Sequence, residues 1–146
     1  MQTINTLSDQ NKIERKLFTG GVIFALLSVI LGAFGAHGLE KLIAEKAINS
    51  FHTGVRYQMY HGLALLLIAN THLIPIKIKK RVGTFFYLGT LLFSFSIYLL
   101  SIDELLSFSF KKIAWITPLG GLLLIIGWSY LLISLFKKMP NLKTEK

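Results

Sequence analysis

The chain has 146 residues, of which 53% are apolar and 16% charged, with a net charge of +9 and no cysteine. A charged share well below the roughly 25% of soluble domains argues against a freely soluble protein, and the lack of cysteine excludes disulfides, thiolate metal sites and thiol nucleophiles. The positive charge does not point to nucleic acid, because the basic residues gather at the ends of apolar stretches, where anionic headgroups account for them.

Four apolar stretches, about residues 17–36, 57–76, 83–102 and 113–136, predict an all-α integral membrane bundle of four transmembrane helices. About twenty helical residues cover the roughly 30 Å of a bilayer's hydrocarbon core. Inside lipid each span must satisfy its own backbone, which selects helices. Residues 17–136 then form one transmembrane domain, preceded by a polar segment, 1–16, expected to be disordered, and followed by a basic tail, 137–146.

The first span follows a basic flank with Lys12, Arg15 and Lys16. Its apolar run of about twenty residues exceeds the 7–15 of a cleaved signal's core, so it is read as retained. Gly21, Ala25, Ser28, Gly32 and Gly35 form a stripe of small residues along one helical face, suited to close helix packing or to a seam between protomers. Gly32→Leu is expected to push this span off its neighbour. Gly38 suits a left-handed helix end.

Residues 39–51 place Leu39, Ile43, Ala44, Ala47, Ile48 and Phe51 opposite Lys41, Glu45, Lys46 and Asn49, which predicts a short interfacial helix after the first span. The second span is expected to end at Pro75, which introduces a tight basic turn at 77–82. Span three carries Ser94, Tyr98 and Ser101 on one face, and span four repeats small residues at Gly120, Gly127 and Ser134.

Lys and Arg number eleven in the N-terminal segment, second connection and tail, against five in the first and third connections. This bias predicts a protein of the cytoplasmic membrane with both termini in the cytoplasm.

Polar residues concentrate at the opposite end. Span one finishes at His37, span two opens with Arg56, Tyr57, Gln58, Tyr60 and His61, and span four begins near Thr117. Polar groups in hydrocarbon are costly unless paired, so this cluster is the best functional clue. It reads as interhelical hydrogen bonding, as a pocket for a lipid or quinone-like ligand, or as a path for protons or ions. A metal site has little support, because His37, His52 and His61 lack a close partner at a known metal-binding spacing. His37 and His61 are expected at similar depth, facing the interior as neutral rings within about 10 Å of each other. His72, beside Asn70 and Thr71, is expected at the other interface. No charged residue lies mid-span, and no nucleophile–base pair or phosphate loop is present.

The run Gly32-Ala33-Phe34-Gly35-Ala36-His37-Gly38-Leu39, with Phe51-His52-Thr53-Gly54-Val55-Arg56-Tyr57-Gln58-Met59-Tyr60-His61, resembles the signature of the YgdD/YwdK-like domain-of-unknown-function family. Ile116-Thr117-Pro118-Leu119-Gly120-Gly121 and Gly127-Trp128 extend the resemblance over about residues 17–132. It implies a small multi-pass bacterial membrane protein with no assigned activity and hence no catalytic residues to transfer. Phe95, where the family pattern has glycine, and the basic third connection are departures. The sequence therefore predicts a non-enzymatic membrane-embedded binding or accessory protein, with a small transporter or channel as the alternative. No cofactor is specified. The expected partners are the lipid bilayer, a lipid or quinone-like ligand, another membrane protein or a second copy of the chain, and not nucleic acid.

Overall fold

The computed structural model describes residues 2–106 and 109–138, and the regular structure among them is entirely helical. Helix α1, Gln2–Phe34, continues into a single π turn at Gly35–Leu39, closed by Glu40 N–H donating to the Gly35 carbonyl at 3.0 Å. Helix α2 is Glu45–Asn70 and helix α3 is Ile76–Thr90. A second π turn, Leu91–Phe95, joins α3 to helix α4, Ser96–Ser101. Short 3₁₀ turns at Asp103–Leu105 and Lys111–Ile113 precede helix α5, Ile116–Lys138.

Close backbone contacts at glycines fix the topology. Gly21 of α1 faces Gly62 of α2, while Gly35 faces Phe51 and His52, so these two helices run antiparallel. Gly83 of α3 meets Leu17 of α1, and the Tyr87 hydroxyl donates to the Lys16 carbonyl at 2.7 Å. Gly127 of α5 faces Phe86, and Gly120 meets the backbone of Phe93. The result is an up-down-up-down bundle with α3–α4 a single bent rod.

The buried side chains form two clusters. One centres on Leu65, Val82 and Phe86, each with no exposed surface; the other joins Leu39, Ile48, Phe51 and Tyr98. The outward faces are equally apolar: Val22, Leu26, Val29 and Ile30 on α1, and Leu122, Ile125 and Ile133 on α5, are exposed. A bundle greasy on both faces belongs in lipid, where association comes from close packing and not from hydrophobic expulsion.

Several boundaries differ from those predicted. Among the described residues three helices are long and apolar enough to cross a membrane, Leu7–Leu39, Ile76–Ser101 and Lys111–Lys137, so the count of four is not matched. The exception is α2, whose apolar residues crowd into its last turns while Lys46, Arg56, Gln58 and His61 occupy the rest. No separate interfacial helix follows the first span, because nothing between Phe51 and Tyr57 breaks the helix and residues 45–51 are simply the first turns of α2. Residues 2–16 are helical, not disordered; most of the basic tail lies outside the described residues. The second span stops at Asn70. Pro75 caps α3 instead of ending α2, and the supposed basic turn at 77–82 belongs to the first turns of α3. No described glycine has positive φ, and Gly38 sits inside a π turn that continues right-handed into Glu40.

Candidate functional site

Because α2 begins at Glu45, Tyr57 to His61 lie in the middle of a long helix and not one turn inside its start. Successive side chains of this stretch therefore radiate to different neighbours. Gln58, 7% exposed, points between α1 and α4: its Nε2 donates to the Phe24 carbonyl at 3.1 Å, and its Oε1 accepts the Tyr98 hydroxyl at 2.9 Å. One turn earlier the Ser94 hydroxyl donates to the Gly54 carbonyl at 2.8 Å. These bonds tie α1, α2 and α4 together.

His61, three residues on, lies on the adjoining face of the helix, toward α3 and α5. Its Nδ1 lies 2.7 Å from the Tyr57 carbonyl, and Trp128 Nε1–H donates to its Nε2 at 3.2 Å. An indole only donates and a carbonyl only accepts, so both bonds form together only on a neutral ring protonated at Nδ1. Phe86 packs edge-on against the imidazole, with ring centroids 5.1 Å apart. Tyr57 stacks on His61 and packs at a tilt against Phe93 from a half-exposed position, and Tyr60 is still more exposed. The exposed Arg56 turns back to donate to Thr53 Oγ1 at 3.0 Å. Thr117 shares a 2.7 Å hydrogen bond with Ser96 across α5 and α4.

The predicted cluster is thus two sites on adjoining faces of α2, plus outliers. His37 joins neither. It is exposed at the end of α1, level with the opening turns of α2, because Gly35 faces Phe51 and His52. His61 neighbours Gly62, which touches Gly21 and Ala25. His37 is twelve residues beyond Ala25, about 18 Å along the helix. The proposed pairing of the two histidines is not formed. The small-residue stripe lies against α2 within the chain, tightest at Gly21, where an added Cβ would stand 2.7 Å from the Gly62 carbonyl oxygen; at Gly32 it would meet only Val55 at 3.5 Å. Among the described residues no group of three metal-type ligands gathers.

Three features escaped the sequence reading. Trp128, read only as part of a family motif, is the hydrogen-bond donor to His61. Lys79, expected in a tight basic turn, is 2% exposed, and its Nζ donates to Glu14 Oε1 at 2.6 Å and to the Ala69 carbonyl at 3.0 Å. The third is a lateral groove of about 390 Å³ between α1 and α4. Phe24, Leu27, Phe34 and Phe95 line its apolar walls, and Gln58, Thr90 and Tyr98 supply its polar groups. Thr90 is 1% exposed, yet its hydroxyl has no hydrogen-bond partner.

A family model described as a protein of unknown function, DUF423, matches residues 31–121. The chain is 42% identical to the UPF0382 membrane protein YwdK of Bacillus subtilis over 80% of its own length and 93% of that protein. It is 37% identical to a UPF0382 membrane protein of Haemophilus influenzae, covering 86% of this chain and 97% of the relative. It is also 36% identical to the UPF0382 inner membrane protein YgdD of Escherichia coli, over 77% and 86% respectively. No solved structure matches.

Proposed function

This chain belongs to the DUF423 family of proteins of unknown function, and from that membership we propose that it is a non-enzymatic binding protein embedded in the cytoplasmic membrane. Its ligand is an amphiphile, a lipid or quinone-like molecule, that enters sideways from the bilayer into the groove between α1 and α4. One observation carries the reading: the Thr90 hydroxyl is buried without a partner, and Thr90 lines the same groove as Gln58 and Tyr98, whose other walls are aromatic and aliphatic side chains. An unsatisfied buried hydroxyl costs about 1–3 kcal/mol, and a ligand carbonyl or hydroxyl would satisfy it. Apolar pockets with a few convergent polar groups are where small ligands bind.

The chain crosses the membrane four times in this proposal. If α1 crosses, α2 retraces the same thickness, since Phe51 lies opposite Gly35 and Gly62 opposite Gly21. Its Gln58 and His61 are carried by neighbouring helices that hydrogen-bond them. Packing also supports binding over passage: between His61 and the Asn70 end of α2, Leu65, Ile68, Val82 and Phe86 are buried together.

The experiment is purification in native lipid nanodiscs with mass spectrometry of the retained small molecules. Wild-type protein is expected to enrich one amphiphile class over the surrounding membrane. Leu27→Trp, which fills the groove from its lipid-exposed wall, is expected to remove that enrichment without unfolding the bundle. Equal enrichment in both proteins, or none in either, would overturn the proposal.

A further inference from the structure

At the end of the bundle where α4 finishes and α2 and α5 begin, a second cavity of about 520 Å³ shares no residue with the lateral groove. Its lining brings Lys46 and Ser50 of α2 together with Ser101, Glu104 and Lys111. Ala44, also in the lining, precedes α2 and has no side-chain oxygen to cap its opening amides. A helix of 26 residues therefore presents unsatisfied N–H groups and the positive end of its dipole here. Lys46 and Lys111 stand with Glu104 in the lining, and Glu45 opens α2 beside them.

An independent observation comes from α4. Ser96 returns its hydroxyl to the Leu92 carbonyl at 2.6 Å, the usual way a helical serine is satisfied. Ser101 lines the cavity and is 4% exposed, but its hydroxyl has no partner. Buried hydroxyls rarely remain so.

We propose that this cavity is a phosphate-binding site. Lys46, Lys111 and the α2 amides supply charge and donors, and Ser101 gives a directed hydrogen bond. Ile97 and Leu100 line the same cavity and suit the glycerol and first methylenes of a phospholipid; a free phosphate would use the polar groups alone. The site is independent of the amphiphile groove and stands or falls without it.

The test uses the full-length protein in detergent micelles. Retention of phosphatidylglycerol and of diacylglycerol with the same chains is compared by native mass spectrometry, and binding of inorganic phosphate is followed by phosphorus NMR line broadening. Phosphatidylglycerol is expected to be retained about tenfold over diacylglycerol. Lys46→Gln with Lys111→Gln should abolish that preference, and Lys46→Arg with Lys111→Arg should restore it. Ser101→Ala should reduce it about threefold. Both lysines are exposed, so unchanged melting of these variants checks the fold. Phosphate broadening lost in the glutamine variant supports the site with free phosphate as its source; a lipid preference without broadening supports the headgroup. Equal retention of the two lipids with no broadening, or a preference indifferent to the lysine substitutions, would overturn it.

Discussion

A buried primary amide must find partners for both its ends, and at Gln58 each end goes to a different helix: the Phe24 carbonyl on α1 and the Tyr98 hydroxyl on α4. Gln58→Leu takes the acceptor from the buried Tyr98 hydroxyl, while the Phe24 carbonyl keeps the Ser28 hydroxyl at 2.8 Å; it should cost about 1–3 kcal/mol, read as a lower melting temperature in detergent. At His61, glutamine can still accept from Trp128 and should preserve folding better than leucine, whereas both substitutions should be silent at the exposed His37. Equal melting of His61→Gln and His61→Leu would show that the Trp128 bond contributes nothing. Lys79 is a sharper case, since it neutralises Glu14 and caps the Ala69 carbonyl in the last turn of α2. Lys79→Ala should destabilise by about 2–4 kcal/mol, discounted because Glu14 is partly exposed, and adding Glu14→Gln should recover part of the loss.

Helix α2 shows where sequence reading reached its limit. The apolar runs of α1, α3–α4 and α5 were plain because lipid-facing helices are apolar all round, and their extent can be counted. A helix held among its neighbours need not be. Residues 39–51 read as a surface segment because Lys41, Lys46 and Asn49 are polar, while Ile48 and Phe51, which face the bundle, are only one side of the pattern. Losing the true start of α2 misplaced His61 by three turns and merged two separate sites into one. The partners of Gln58 and His61 are distant in sequence, at Phe24, Tyr98 and Trp128, and no local pattern announces them. Small residues were easier to find than to rank. The distances make Gly21, not Gly32, the point where α1 cannot retreat. Gly21→Leu should therefore lower the melting temperature strongly, with Gly32→Leu close to wild type. Similar losses from both would mean that the stripe tolerates no bulk anywhere.

For the molecule as a whole, the charge bias survives one correction. Lys79 is engaged in an ion pair and falls out of the count, but the remaining excess still argues for cytoplasmic termini. A C-terminal reporter active only outside the cytoplasm is expected to stay silent, and a strong signal from it would reverse the proposed orientation. The polarity of α2 has a further consequence, for biogenesis. A segment carrying Lys46, Arg56, Gln58 and His61 gains little by leaving the translocon alone, since single charged residues oppose partitioning by about 2.5–3.5 kcal/mol at mid-bilayer. α2 gains its shelter from α1 through the Gly21–Gly62 contact and the Gln58–Phe24 bond. Membrane entry should then be a paired event, in which α1 waits at the lateral gate until its partner is synthesised and the two leave as a hairpin. A glycosylation-tagged α2 fused to an unrelated leading segment should insert poorly, and restoring α1 ahead of it should rescue insertion, unless Gly21→Leu has taken the close contact away.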